Sequence, residues 1–367
     1  MIGDFPHLPH LRLIGEIGRG GMSTVWKAMD LNREEIVAVK VLNQELTTNE
    51  DDLEMFRAEA NALKSLDHPG IVRCYEMNCI EGVWYYVMEL IDGYSFADLL
   101  SRKQSLQEPD CLLICESLAV ALQYAWNTHG IVHCDIKPEN VMINSEGVVK
   151  LMDLGLCHTF RHLAEGSVEV PEQVLGTPSY ISPEQIYGDV ELDCRADIYS
   201  LGATLYHLAT GRIIFPGLGA DDLLRAHCSE NCQGQDPRNY KPKLSEGFCQ
   251  MLEAMLVKDR DWRVNNWDIV IETCHDVQRG IRYKRRNTPG VSSIMLNAAT
   301  LSLRSVSVQE KPEAPHPLKL RTKLQVKTVA PAAKRKSPPV LQPSDGKKKA
   351  KAQFNSRIHL FSHTDEI

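Results

Sequence analysis

The sequence contains no pair of cysteines in the C-x-x-C spacing that zinc sites and redox-active disulfides commonly use. Its eleven cysteines are an odd number and follow no regular framework. Disulfide-stapled secreted domains have even sets of cysteines, so this pattern favours free thiols in a reducing compartment. Cys228 and Cys232 lie four residues apart, and we expect helix packing from them rather than a zinc site. The cysteines therefore predict a cytoplasmic protein.

The sequence also lacks a hydrophobic run that could cross a membrane. Its most apolar stretch, residues 291–303, is shorter than the roughly 18 residues that a bilayer requires, and Ser, Asn and Thr interrupt it. Residues 1–10 contain no basic segment followed by an apolar core, which a secretory signal peptide would have. We expect neither a transmembrane segment nor a signal peptide.

Charge is divided unevenly between two parts of the chain. Residues 1–282 hold 24 Lys and Arg against 43 Asp and Glu, whereas residues 283–367 hold 17 against 5. The second part is rich in Ser, Pro, Lys and Arg and has few aromatic residues, so it cannot bury enough apolar surface to offset its ordering entropy. We predict an acidic folded domain followed by a basic, disordered tail over residues 283–367.

Short β-type runs dominate the first 90 residues, and a single amphipathic helix interrupts them between Asp52 and Leu66. From Phe96 onward helical periodicity prevails, as in Asp110–Asn127 and Asp197–Thr210. This order predicts an α+β fold with two lobes, a small antiparallel sheet with one helix and a larger, mainly helical lobe. The expected strands of the small lobe are Leu13–Ile17, Val25–Ala28, Ile36–Leu42, Ile71–Tyr75 and Val83–Leu90.

A glycine-rich turn joins the first two strands. Its sequence from Gly18 to Thr24, GRGGMST, exposes backbone N–H groups that can approach phosphate oxygens closely. Taken alone, the turn is equally compatible with a hairpin that binds no ligand.

A lysine on the third strand favours phosphate binding over a hairpin without a ligand. Lys40, in Ala38-Val39-Lys40, follows the glycine turn by about 20 residues and can reach phosphates from the neighbouring strand. Glu59, on the helix that follows, would hold its ammonium group by charge attraction. Either residue taken singly is more often solvated than functional.

The strongest pattern is His133-Cys134-Asp135-Ile136-Lys137-Pro138-Glu139-Asn140, with Asp153-Leu154-Gly155 following it. His, Asp, Lys and Asn at these offsets arise by chance at roughly one start position in 10⁵. The segments resemble the protein kinase family. Lys137, together with Thr177 in Gly176-Thr177-Pro178-Ser179-Tyr180, is similar to its serine/threonine class. The sequence Gly-Gly-Met-Ser in the turn resembles that of bacterial Hanks-type serine/threonine kinases.

This resemblance implies a role for each matched residue. Asp135 would accept the proton of a substrate hydroxyl, and Lys137 would neutralise the transferred γ-phosphoryl group. Asn140 and Asp153 would hold Mg²⁺, with Mn²⁺ as an alternative, and Lys40 would bind phosphates of ATP while paired with Glu59.

The resemblance also implies an adenine pocket between the lobes. Met88 would close its back, and backbone groups of Glu89 and Ile91 would bind the base. The residues expected to surround ATP are Ile17, Gly18, Arg19, Gly20, Gly21, Met22, Ser23, Thr24, Val25, Ala38, Lys40, Met88, Glu89, Ile91 and Met142.

The similarity continues through the predicted large lobe. Ser182-Pro183-Glu184 resembles the family's A-P-E motif, and Glu184 is expected to pair with Arg263. Glu184 and Thr177 would shape the ledge on which a peptide docks. We expect a catalytic domain over residues 11–282, with a small lobe at about 11–91 and a large lobe at about 92–282.

Cys134 departs from the family pattern, because most members have an arginine there that pairs with a phosphorylated activation loop. The loop offers Thr159 and Ser167, and its residues 164–173 are acidic, so a phosphate would meet like charge. We expect that loop phosphorylation is not essential for activity.

The motifs imply ATP and Mg²⁺ as cofactors and proteins as substrates, with autophosphorylation also expected. Two alternatives remain open, a kinase-fold scaffold without catalysis and a kinase that acts on a small molecule. The basic tail could attract acidic proteins, nucleic acid or anionic lipid, or remain a solvated linker.

Overall fold

The computed structural model describes residues 8–154, 176–189 and 191–280. Five strands from the first part of the chain form an antiparallel sheet in the order β1-β2-β3-β5-β4. One helix, α1, packs beside this sheet and contacts β4. These elements are β1 (Leu11–Arg19), β2 (Ser23–Asp30), β3 (Glu35–Leu42), α1 (Glu50–Ser65), β4 (Cys74–Ile80) and β5 (Val83–Glu89).

Strand β3 is central in the sheet, and apolar clusters bury both of its faces. Val37 and Val39 pack into a cluster on one face, while Ala38 and Leu42 join a second cluster that includes α1. Side chains alternate along a strand, so Lys40 points to the same side as Ala38 and Leu42. The sheet therefore presents Lys40 toward the helix.

Helix α1 begins after Asn49, whose side chain accepts the N–H of Asp51 and caps the first turn. Three acidic residues follow in that turn, where the helix dipole favours negative charge. Phe56, Ala60 and Leu63 form its buried stripe against the sheet. Glu59 lies beside this stripe and is carried toward β3.

The fourth strand is displaced from its expected position at Ile71–Tyr75, and that expectation was wrong. Ile71 makes an isolated parallel bridge with Leu151, and the N–H of Val72 donates to the carbonyl of Leu151 at 2.9 Å. These residues therefore attach to the second lobe, and the strand in the sheet begins only at Cys74.

The rest of the described chain is mainly helical and encloses the largest apolar cluster. Its central helix, α5 (Cys194–Thr210), is buried along nearly its whole length. The elements are β6 (Gly93–Ser95), α2 (Phe96–Lys103), α3 (Glu108–His129), β7 (Val141–Asn144), β8 (Val149–Leu151), α4 (Pro183–Tyr187), α5 (Cys194–Thr210), α6 (Ala220–Cys228), α7 (Glu246–Met255) and α8 (Trp267–Gln278).

This architecture confirms the predicted α+β class with a strand-rich small lobe and a helical large lobe. Among the helices of the described ranges, none combines the length and apolar character that crossing a bilayer requires. The predicted tail at 283–367 lies outside the described residues, and the domain limit at 282 stays a prediction.

Candidate active site

Lys40 stands between two carboxylates from different elements. Its Nζ lies 2.6 Å from Oε1 of Glu59 on α1 and 2.9 Å from Oδ1 of Asp153, which follows β8. Tyr86, opposite Lys40 on β5, donates its hydroxyl to the same oxygen of Glu59 at 2.9 Å. The small sheet, its helix and the large lobe thus converge on one ammonium group.

Electrostatics keeps this ammonium charged despite its burial. Burial alone would lower the pKa of Lys40, but the charges of Asp153 and Glu59 outweigh it and raise that pKa well above its usual value. Burial raises the pKa of Glu59, and the neighbouring Lys40 partly offsets that rise. A fixed positive charge in a partly dehydrated cleft suits the binding of phosphate.

Three polar side chains meet around the carboxylate of Asp135. Lys137 Nζ lies 2.6 Å from one carboxylate oxygen, to which Asn140 Nδ2 also donates at 3.0 Å. Thr177 donates its hydroxyl to the other oxygen at 2.8 Å and accepts a hydrogen bond from Lys137 at 2.7 Å. The carboxylate is therefore held in one orientation from three sides.

A buried carboxylate holds the turn that carries Asp135. Asp197, near the start of α5, accepts the N–H of His133 at 2.7 Å and that of Cys134 at 2.9 Å. Burial raises the pKa of Asp197 to about 6, although interaction with His133 and the two N–H donors opposes the rise. Cys134 has a positive φ of 67°, a strained conformation that these contacts stabilise.

The second anchor of this turn is the His133 ring, which hydrogen bonds to the carbonyl of Met152 at 2.9 Å. The N–H of Met152 in turn donates to the carbonyl of Asn140 at 2.9 Å. The segment that carries Asp153 is thereby attached to the turn that carries Asp135.

The glycine-rich turn is held by Asn43 at the end of β3. Its N–H donates to the carbonyl of Met22, and its side-chain amide donates to the carbonyl of Gly21 at 3.0 Å. Gly20 closes the turn by donating to the carbonyl of Ser23 at 2.8 Å. In contrast, Arg19 pairs with exposed Glu16. The turn between the strands thus begins with two adjacent glycines, Gly20 and Gly21, which expose backbone rather than bulky side chains.

Most of the apolar residues expected around the base meet in one cluster. Ile17, Val25, Ala38, Met88 and Ile91 all belong to the cluster that contains the buried face of α1. Met142 lies on β7 in the large lobe, where it is buried. The N–H of Glu89 is bound to the carbonyl of Arg73, as expected for a strand end.

Glu184 lies beneath the cleft rather than in it. Its carboxylate receives both terminal nitrogens of Arg263, at 2.6 and 3.0 Å, and both side chains are buried. Gln185, beside it, donates to the carbonyl of Cys134 at 2.8 Å. Helix α4 therefore supports the Asp135 turn. Thr159 and Ser167 lie outside the described residues.

The donor set at the cleft suits a magnesium ion that phosphates also coordinate. Asn140 uses its amide nitrogen on Asp135, so its amide oxygen is available to a cation, and Asp153 supplies carboxylate oxygen. Over the described part of the chain, no group of three or more His, Cys, Asp and Glu side chains could hold a metal unaided. Mg²⁺ characteristically takes one or two protein ligands and completes its shell with phosphate and water.

Sequence reasoning gave no role to several residues that position this site. Tyr86 and Gln185 were missed, and Asp197 was noted only as the first residue of a helical segment. Their contacts join segments far apart in the chain, and a single sequence contains no local pattern that reveals such pairs.

Comparison with known proteins agrees with these observations. The family model for the protein kinase domain matches residues 11–274. A Bifidobacterium longum protein described as "Probable serine/threonine-protein kinase PknB" is 35% identical over 256 residues, covering 67% of this chain and 36% of the relative.

Two further relatives carry similar names. The serine/threonine-protein kinase PrkC of Bacillus subtilis is 30% identical over 273 residues, covering 74% of this chain and 40% of the relative. The serine/threonine-protein kinase PknB of Mycobacterium leprae is 35% identical over 259 residues, covering 69% and 40%. The chain spans about two fifths of the length of these relatives.

Proposed function

Because this chain belongs to the protein kinase family, we propose that it transfers the γ-phosphoryl group of ATP to serine or threonine hydroxyl groups of proteins. The observation that carries this proposal is the convergence of two charged groups on one cleft. Lys40, Glu59 and Asp153 form one group, and Asp135, Lys137 and Thr177 form the other. Hydrogen bonds through Asn140 and Met152 connect them.

Asp135 is the proposed base that receives the proton of the substrate hydroxyl. Its carboxylate is already oriented by Lys137, Asn140 and Thr177, so little reorganisation is needed when the hydroxyl arrives. Lys137 would meet the negative charge of the γ-phosphoryl group during transfer. Phosphoryl transfer depends chiefly on such positioning and charge compensation.

Lys40 is the proposed phosphate ligand of the small lobe, and Glu59 keeps its side chain directed into the cleft. Asn140 and Asp153 would hold Mg²⁺, or Mn²⁺ in its place. When bound, the cation would supply positive charge against the phosphates and help to orient the terminal one. The glycine-rich turn from Gly18 to Thr24 would cover the phosphates with its backbone.

The choice of serine and threonine rests on Lys137 and Thr177. Their hydrogen bond places the start of the 176–182 segment against the carboxylate that would receive the hydroxyl. The names of the relatives agree with this choice. Autophosphorylation of the tail serines and a cytoplasmic location are part of the same proposal, as is contact of the tail with an acidic protein, nucleic acid or anionic lipid.

The test compares the wild-type protein with Asp135→Asn in a transfer assay with labelled ATP, Mg²⁺ and a generic protein substrate. We expect the variant to lose about 10²- to 10⁴-fold in rate while it still binds ATP. Acid hydrolysis of the labelled product should release phosphoserine or phosphothreonine. No incorporation by either protein would favour a scaffold without catalysis, and equal incorporation by both would show that Asp135 does not carry the transfer.

A further inference from the structure

An ion pair joins the two lobes behind the cleft. Nζ of Lys150, on β8 of the large lobe, lies 2.8 Å from Oε2 of Glu89, at the end of β5 in the small lobe. Their side chains are only 12% and 29% exposed. Water and salt screen such a pair less than a surface pair such as Arg238 and Asp236, which are 46% and 41% exposed.

Backbone hydrogen bonds extend this contact into a network. Oε2 of Glu89 also accepts the N–H of Arg73 at 3.4 Å, and the carbonyl of Arg73 accepts the N–H of Glu89 at 2.9 Å. The N–H of Leu151, next to Lys150, donates to the carbonyl of Gly70 at 2.8 Å. The connection from α1 to β4 therefore attaches to both members of the pair.

The two ends of the pair lead to opposite parts of the proposed nucleotide site. Glu89 directly follows Met88 in the strand proposed to bind the base. Lys150 precedes Asp153 by three residues, and Asp153 contacts Lys40 at 2.9 Å. A change in the Lys150–Glu89 separation would thus move the base-binding strand relative to the phosphate-binding carboxylate.

We propose that Lys150 and Glu89 form an interlobe latch that holds the cleft closed around a bound nucleotide. Lys150 is a positioning residue, since it acts through Glu89 and β8 rather than by touching the nucleotide. A single ion pair can still break when nucleotide enters or leaves, and such opening steps limit turnover in many enzymes. This inference rests on the proposed function, because it assumes that the cleft binds nucleotide.

The test measures ADP binding and release with the full chain and needs no phosphoryl transfer. We expect Lys150→Met to raise the Kd for ADP about threefold to tenfold and to increase the dissociation rate of a fluorescent ADP analogue in proportion. Lys150→Arg, which keeps the charge, should bind as the wild type does. Arg238→Met removes an exposed pair and serves as the matched control.

A second variant distinguishes loss of the ion pair from misfolding. Glu89→Gln removes the charge while keeping the shape and backbone of the strand end, and it should weaken ADP binding in the same direction. If the wild type binds ADP, and the folded variants Lys150→Met and Glu89→Gln have the same Kd and dissociation rate as the wild type, the latch is overturned. The proposed function is then unaffected. Failure of the wild-type chain to bind ADP would overturn the proposed function and the latch with it.

Discussion

Thr177 donates a hydrogen bond from its hydroxyl to Oδ1 of Asp135, 42 residues earlier in the chain, at 2.8 Å. The same hydroxyl accepts Nζ of Lys137 at 2.7 Å. The segment that begins at Gly176 is thereby attached to the residue proposed to receive the substrate proton. The proposed docking segment and the proposed catalytic carboxylate are therefore connected through one hydroxyl group.

Replacing Thr177 by valine should therefore lower kcat about tenfold to a hundredfold. Valine has nearly the same shape, but it can neither donate to Asp135 nor accept from Lys137, so both side chains lose their fixed orientation. Steady-state kinetics with a peptide substrate would measure the loss. Thr177→Ser keeps the hydroxyl and should retain most activity. Equal kcat values for the valine and serine variants would contradict this role.

Sequence patterns predicted the elements of the small lobe better than their ends. The apolar stripe of α1 was readable because its spacing is local, and the helix runs from Glu50 to Ser65. The expected strand at Ile71–Tyr75 was misplaced because Ile71 and Val72 bind Leu151, about 80 residues later. Apolar runs alone do not reveal which strand they will join.

In the candidate site, too, some residues are predictable from sequence and others are not. Lys40, Asp135 and Asp153 stand in recognisable motifs, and the structure brings them to one cleft. Asp197 receives two backbone N–H groups from a turn 63 and 64 residues away, which its own neighbours in sequence do not indicate. The residues proposed to touch nucleotide or substrate stand in motifs, whereas those that hold them in place, such as Asp197, are recognised only from the fold.

Arg263 should be among the most costly residues to replace in the large lobe. It is fully buried, donates to both oxygens of Glu184, and also donates to the carbonyls of Val257 and Arg195. Arg263→Met leaves a buried carboxylate without its partner, and we expect a loss of about 3–5 kcal/mol in the free energy of unfolding.

Urea unfolding followed by circular dichroism would measure that loss. Arg238→Met, which breaks an exposed pair with Asp236, should unfold at the wild-type urea concentration. If the two variants shifted the midpoint equally, the Glu184–Arg263 pair would not have the stabilising role assigned to it.

His227 should make the folded state sensitive to acid. Its Nδ1 lies 2.7 Å from the hydroxyl of Tyr199, the ring is fully buried, and Lys258 lies close by. Burial, and secondarily the charge of Lys258, lower the pKa of His227 from 6.5 to about 4. Below pH 6.5, His227 therefore binds a proton in the unfolded chain but stays neutral in the folded chain.

The stabilisation from neutral His227 is thus complete above pH 6.5 and is lost as the pH falls toward 4, by roughly 3 kcal/mol at most. His227→Asn supplies a reference, because its amide oxygen can accept from Tyr199 but does not titrate. The difference in unfolding free energy between wild type and His227→Asn should shrink as the pH is lowered through this range. A difference that stays constant would show that His227 does not titrate as stated.

Cys134 provides the basis for a prediction about regulation. Its side chain is 2% exposed and packs in a small apolar cluster with Val132 and Ala196, at the position where most family members carry an arginine. A thiol in apolar surroundings cannot pair with a phosphate as a guanidinium does. The turn is held instead by Asp197 and Gln185, which bind the N–H and the carbonyl of Cys134.

We therefore expect the double variant Thr159→Ala/Ser167→Ala to keep its transfer rate within about threefold of the wild type, since no phosphate on either residue is needed to orient Asp135. The rate should be measured on a protein substrate after phosphatase treatment of both proteins, so that neither begins phosphorylated. Thr177→Val, assayed in parallel, should lose activity and shows that the assay detects damage to the segment. Loss of most activity in the double variant would mean that loop phosphorylation activates this protein through contacts other than Cys134.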